Sequence, residues 1–132
     1  RAIDALIARV ESSTALPLRS VIEDIDGVLS KEAEITLYRI VQESLSNIVK
    51  HARASIVEVT ITRRNGQVQA RIHDNGAGFA VDRATQAPRG MGLSGMAERA
   101  GMLGARLDIV SGHGRGTTIT LTIPTREPAH GT

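Results

Sequence analysis

The stretch VEVTITRRNGQVQARIHD, residues 57–74, decides the architecture. Val57, Val59 and Ile61 alternate with polar residues, and Val68, Ala70 and Ile72 do so again. That is the period of a strand with one buried face. Between the two runs stands Asn65-Gly66, a pair that tolerates positive φ at both central positions of a two-residue turn. The passage predicts an antiparallel hairpin whose apolar face needs a cover.

The flanking segments supply that cover. Upstream, residues 31–52 predict a helix with Ser30 as N-cap, though Ala33 leaves the capping box without its reciprocal Glu or Gln. At about 100° per residue, Tyr38, Val41, Leu45, Ile48 and Ala52 fall on one stripe, while Glu43, Asn47, Lys50 and His51 fall on the other side. Residues 1–11 predict a short amphipathic helix carrying Ile3, Leu6, Ile7 and Val10. Residues 16–25 include Pro17 and predict an extended segment near a sheet edge. Downstream, residues 91–102 predict a helix stopped by Gly101 and Gly104. Residues 106–110 and 117–123 predict a second strand pair, with Ile119, Leu121 and Ile123 on one face. The fold expected is α+β: a two-layer sandwich of three main helices on one face of a mainly antiparallel sheet of about five strands.

Length and composition bound the rest. At 132 residues the chain fits one domain, expected over residues 1–124, with residues 125–132 as a disordered tail that has nothing apolar to bury. With no cysteine, disulfides, thiolate metal sites and cysteine nucleophiles are excluded. The net charge is only +2, Lys and Arg are scattered, and Tyr38 and Phe79 are the only aromatics. A nucleic-acid reader needs a basic stripe or stacking rings, so no nucleic-acid partner is expected. No apolar run reaches the length of a membrane span, so no direct membrane contact is expected. The chain opens at Arg1 directly in a helical pattern, which reads as a piece of something longer.

Four places carry chemistry. Glu43, Asn47, Lys50 and His51 put an acid, an amide, an amine and an imidazole on adjacent helical turns, a mixture able to hold a metal and phosphates. Asp74-Asn75-Gly76-Ala77-Gly78-Phe79 follows a strand; its glycines let the backbone approach a flat ligand, and a carboxylate there can accept from an exocyclic amine. The same residues also suit an ordinary Asx turn. Gly90-Met91-Gly92-Leu93-Ser94-Gly95 opens a helix, where close backbone amides bind phosphate. It matches the dinucleotide pattern G-x-G-x-x-G, but no strand precedes it and Asp108 falls in mid-strand, so the Rossmann reading fails. Finally, Gly116-Thr117-Thr118 begins the last strand and offers a hydroxyl to a ligand held at Asp74.

The order of these elements resembles the GHKL superfamily of ATPases and kinases, which spans gyrases, heat-shock chaperones, mismatch-repair ATPases and histidine kinases. ESLSNIVKHA (43–52) looks like its N box, DNGAGF (74–79) like its first glycine box, GMGLSGMAER (90–99) like its second, and GTTITLTIP (116–124) like its closing strand. The wording is most similar to the nitrate-sensor-like group of bacterial sensor histidine kinases. The resemblance implies a catalytic domain that binds ATP with Mg²⁺. Asp74 would take the adenine amine, with Thr117 nearby, and Asn47 would ligate the metal. Lys50, His51 and the amides around Gly90 and Gly92 would face phosphate or ribose. Gly76, Gly78, Phe79, Met91 and Leu93 complete the implied ATP-binding set. Glu43 occupies the position at which the ATPases place a general base and is the candidate catalytic residue. His51 departs from the many histidine kinases that carry a second Asn there, which ties its contribution to protonation.

None of the four histidines reads as a phosphoacceptor. His51 lies in the nucleotide helix, His73 at a strand end beside Asp74, His113 in a glycine-rich turn and His130 in the tail. The acceptor is therefore expected upstream, on a dimerisation domain that would make the full protein a homodimer. A cognate response regulator is the other implied partner, and the domain itself is expected to be cytoplasmic. A serine kinase of the anti-sigma-factor type, a non-catalytic nucleotide-binding module and the ATPase piece of a topoisomerase or chaperone are the alternatives. The short loop at residues 80–89 speaks against the last.

Overall fold

The computed structural model describes residues 2–13, 17–52, 56–76, 93–111 and 116–125. Within them the chain forms α1 (Ala2–Ser13), β1 (Leu18–Ile22), α2 (Lys31–Asn47), a π-helical turn (Ile48–Ala52), β2 (Val57–Arg64), β3 (Gln67–Asp74), α3 (Leu93–Met102), β4 (Arg106–Ser111) and β5 (Thr117–Pro124). The five strands make one sheet in the order β1-β2-β3-β5-β4. All neighbours are antiparallel except β1 and β2, which pair in parallel. Three helices on a mixed five-stranded sheet is the α+β arrangement expected from the pattern, and the segment with Pro17 does lead into an edge strand.

The hairpin forms where Asn65-Gly66 places it, with φ of 51° and 76° at the two turn residues. Its register brings Val59 opposite Ile72 and Ile61 opposite Ala70, so the apolar sets of both strands share one face. Ile119, Leu121 and Ile123 of β5 extend that face, and all are buried. α2 covers it with Ala33, Leu37, Ile40, Val41 and Leu45, and the π-turn adds Ile48. Each large aliphatic side chain so enclosed stabilises the fold by about 1.5–3 kcal/mol relative to exposure. The opposite face is polar: Thr60, Arg71, Thr120 and Asp108 lie in one cross-strand row.

Ser30 caps α2 as read from the sequence, its hydroxyl accepting the Ala33 N–H at 3.1 Å. Two helix details differ from expectation. Gly101 does not stop α3 but lies within it. Gly104 ends it alone, at φ 75°, where the Ala105 N–H reaches back to the Ala100 carbonyl at 2.9 Å and the Gly104 N–H to Gly101 at 3.1 Å. That pair of bonds is a Schellman closure, which needs one residue in the left-handed region. The second helix does reach Ala52, but its last five residues are wound as a π-turn. Of the tail expected to be disordered, residues 125–132, Thr125 donates its N–H to the Gly66 carbonyl at 2.9 Å, and the remainder lies outside the described residues.

Candidate functional site

At one end of the sheet, Val57, Asp74, Thr117 and Ser111 occupy a single row across β2, β3, β5 and β4. Strand alternation turns this row toward the helices, as it does Ile72 and Ile119. Asp74 is thus a carboxylate in the core layer, only 1% exposed. Its Oδ1 accepts the Gly76 N–H at 2.7 Å, so the Asx turn and the candidate ligand-binding carboxylate are one structure. Burial pushes the Asp74 carboxyl above the ordinary value of 3.8, against the opposing pull of the Gly76 N–H and of His73. Asn75 fastens the same corner from the other side, its Oδ1 accepting the Ile56 N–H at 3.1 Å.

Gly116 shows how tightly this corner is packed. A Cβ there would strike the Asp74 carbonyl oxygen and come within 3.1 Å of the Asn75 Cα, and its φ of 75° is itself a glycine conformation. Next to it, Ser111 Oγ donates to the Gly116 carbonyl at 3.2 Å and lies 2.8 Å from Thr117 Oγ1. A serine hydroxyl has one hydrogen. With that hydrogen on Gly116, Thr117 must be the donor to Ser111, and Thr117 Oγ1 turns only lone pairs toward its surroundings. Asp74 and Thr117 together form an acceptor surface suited to an N–H₂ group.

The second half of the site lies on α2. Asn47 is buried, 9% exposed, which corrects its sequence-based placement on the open polar side with Glu43 and Lys50. The reason is that α1 and α3 both flank α2, so its buried arc is wider than one stripe. Asn47 is three and seven residues from Ser44 and Ile40, both 0% exposed, and shares their side of the helix. Glu43 is half-buried and lines a cleft of about 690 Å³ along α2, bordered by Ala2 of α1 and Met96 of α3, together with Tyr38 and Gln42. Lys50 is exposed. Tyr38, expected on the buried stripe, is half-buried, its hydroxyl accepting from Arg9 at 3.1 Å.

His51 belongs to the π-turn and Leu93 opens α3, but their side chains lie outside the described residues, as do Gly78, Phe79, Gly90, Met91 and Gly92. His73 is on the opposite sheet face from Asp74, Nδ1 2.8 Å from Thr118 Oγ1. Two polar residues escaped the sequence reading. Ser111 could be found only through its register with Thr117. Ser44 had a signal, a hydroxyl interrupting the stripe formed by Leu37, Ile40, Val41 and Leu45. Its Oγ is buried without a hydrogen-bond partner among the described residues.

Among the described residues no three His, Cys, Asp or Glu side chains gather as a metal cage. The donor set instead suits a cation shared with a ligand's own oxygens: one buried amide, Asn47, at the end of the helix that packs on β3 and β5. Mg²⁺ binds in this way, with few protein ligands and the rest from phosphates and water. Also among the described residues, no helix is long and apolar enough to cross a membrane.

Comparison with known proteins agrees with this geometry. Residues 32–127 match the family described as histidine kinase-, DNA gyrase B-, and HSP90-like ATPase. The sensor histidine kinase LiaS of Bacillus subtilis is 39% identical over 99 residues, covering 75% of this chain and 27% of LiaS. The signal transduction histidine-protein kinase/phosphatase UhpB of Salmonella typhimurium is 34% identical over 131 residues, 96% of this chain and 24% of UhpB. The oxygen sensor histidine kinase NreB of Staphylococcus carnosus is 39% identical over 95 residues, 70% of this chain and 26% of NreB. The chain thus spans roughly a quarter of the length of these relatives. Among solved structures, the blue-light activated histidine kinase of Erythrobacter litoralis superposes with a TM-score of 0.76 at 24% identity, over 92% of this chain and 40% of that one. At that identity the likeness concerns the fold.

Proposed function

Since the chain belongs to the histidine kinase-, DNA gyrase B- and HSP90-like ATPase family, we propose that it is the ATP-binding catalytic domain of a sensor histidine kinase, passing the γ-phosphoryl of ATP to a histidine on another segment. The observation that carries this reading is the buried Asp74 set in one sheet row with Thr117, at 1% and 4% exposure, beneath a helix that carries a buried Asn47. A carboxylate that the core keeps dry, and that spends one oxygen on Gly76, has its other oxygen for an exocyclic amine. The sheet supplies base recognition and α2 the phosphate end.

Asn47 would hold Mg²⁺ through its amide oxygen; the ion, when bound, neutralises phosphate charge. Lys50 adds a mobile positive charge, and His51 a second donor when protonated. By the family resemblance, Gly76, Gly78 and Phe79 would belong to the base pocket, and Gly90, Met91, Gly92 and Leu93 to the phosphate-binding segment. Glu43 is the candidate acid–base residue, placed in the cleft along α2. Positioning and charge neutralisation supply most of the catalysis in phosphoryl transfer. The partners of this reading are a dimerisation segment bearing the acceptor histidine and a response regulator that takes the phosphoryl onward, all on the cytoplasmic side.

The test is incubation with γ-labelled ATP. This chain alone should stay unlabelled, because His73 faces away from the site and the acceptor that must stand in line with the γ-phosphorus is expected on another segment. Adding a dimerisation segment that bears the acceptor histidine in trans should put acid-labile phosphate on that segment. Stoichiometric acid-labile label on the chain itself overturns the assignment of the acceptor, and acid-stable label on a partner overturns the histidine as target.

A further inference from the structure

The buried polar residues among those described are Thr36, Ser44, Asn47, Asp74 and Thr117. Asp74 and Thr117 pair at the end of the sheet, and Asn47 lies near the end of α2 that leads, through the π-turn, into β2 opposite Asp74. Ser44 is one helical turn before Asn47 on that side. It is 0% exposed, and its Oγ has no hydrogen-bond partner among the described residues. A buried hydroxyl left unpaired is costly and calls for a reason.

The donor count at the sheet end gives one. Asp74 contributes a carboxylate, and Thr117, having committed its hydrogen to Ser111, contributes lone pairs. The pairing edge of adenine is not all donor: beside the 6-amino group stands N1, an acceptor. Two acceptors can serve the amine but neither can serve N1. A hydroxyl with an uncommitted hydrogen, on the helix that packs against both β3 and β5, supplies the missing donor.

We infer that Ser44 is a base-recognition residue, its Oγ–H donating to the purine ring nitrogen next to the amine held by Asp74. This rests on the nucleotide reading of the Asp74 site. Ser44 then explains discrimination that a carboxylate alone cannot give. Asp74 selects for an amine, and Ser44 selects for an acceptor at the neighbouring ring position. A base with an N–H at that position meets a donor with a donor.

The experiment is a binding cycle by calorimetry with ADP and 1-deaza-ADP, in which N1 is replaced by C–H, on the wild type, Ser44→Ala and Asp74→Ala. The wild type should prefer ADP. Ser44→Ala should bind ADP about 3- to 10-fold more weakly, the range of one neutral hydrogen bond, and should no longer distinguish the two nucleotides. Without nucleotide its melting temperature should hold or rise by a few degrees, since an unpaired hydroxyl has left the core. If Ser44→Ala binds both nucleotides as the wild type does, or loses the same factor on both, Ser44 is not a recognition group. If Ser44→Ala does not fold, Ser44→Cys, a near-isostere with a weak donor, takes its place with the same two outcomes. Asp74→Ala separates the premises: unchanged ADP affinity in that variant overturns the site itself, whereas its loss beside an unaffected Ser44→Ala overturns Ser44 alone.

Discussion

The two ends of the proposed nucleotide site are built differently. The base end is a piece of sheet. Asp74, Thr117 and Ser111 are set by strand register, and Gly76, Gly116 and Asn75 lock the backbone around them. The phosphate end is a helix terminus. Asn47 closes α2, and Lys50 and His51 follow in a turn wound with one residue more per hydrogen bond than the helix before it. Register errors move every side chain of a strand to the wrong face, so the base end is fixed all-or-none. A π-turn re-aims only its own few residues. In the proposed site, recognition of the base would therefore depend on backbone geometry, and handling of phosphate on individual side chains.

The largest effect should come from Gly116→Ala. The added methyl meets the Asp74 carbonyl at a φ of 75°, so the corner must open or the strand must shift. A loss of about 3 kcal/mol or more is expected for strain and overpacking combined. Urea unfolding reads it directly, and an unchanged midpoint would show that the base end is far softer than its packing indicates.

Asp74→Asn comes next and splits binding from stability. The amide oxygen can still take the Gly76 N–H, which leaves the NH₂ facing the ligand's amine. ADP affinity should drop about 10- to 100-fold, the range of a hydrogen bond to a charged group. Stability moves the other way. The raised carboxyl of Asp74 favours its protonated form in the fold. Its contribution is thus fully present below the unfolded value near 3.8 and is lost as pH rises through the folded one. The variant should lack that decline and melt higher than the wild type at pH 7. A variant that melts lower, with ADP affinity intact, would contradict both halves.

Asn47→Ala should have the smallest effect of the three on binding and the most selective. With a chelator present, ADP affinity should stay within about twofold of wild type, while the enhancement by Mg²⁺ should vanish, consistent with loss of one oxygen ligand. Equal Mg²⁺ enhancement in both proteins would remove Asn47 from the metal.

Much of this was legible before any coordinates. Strict alternation at Val57–Ile61 and Val68–Ile72 names the buried face, and Asn65-Gly66 names the turn. The glycines around Asp74 mark the site because a close backbone approach leaves few alternatives. Three things were hidden. Strand order places β5 between β3 and β4, and only that order sets Thr117 beside Asp74. The parallel pairing of β1 depends on contacts with β2, far along the chain. Asn47 reads as a surface residue from its angle on α2, because periodicity cannot report how many neighbours crowd a helix. Ser44 was passed over for a related reason: a small hydroxyl among aliphatic residues is common enough to look like filler.

The pairing of Asp74 with Thr117 also bears on how the chain acquires its function. The β2–β3 hairpin closes through a two-residue turn and can form by itself on the microsecond scale. The corner at Asp74 instead has to wait for β5, which returns only after α3 and β4 have been laid down. Closing a loop of that length costs entropy before any contact repays it. The nucleotide pocket is therefore assembled late, from a chain already mostly organised. A nucleotide that binds the finished pocket is then expected to act chiefly as a brake on unfolding.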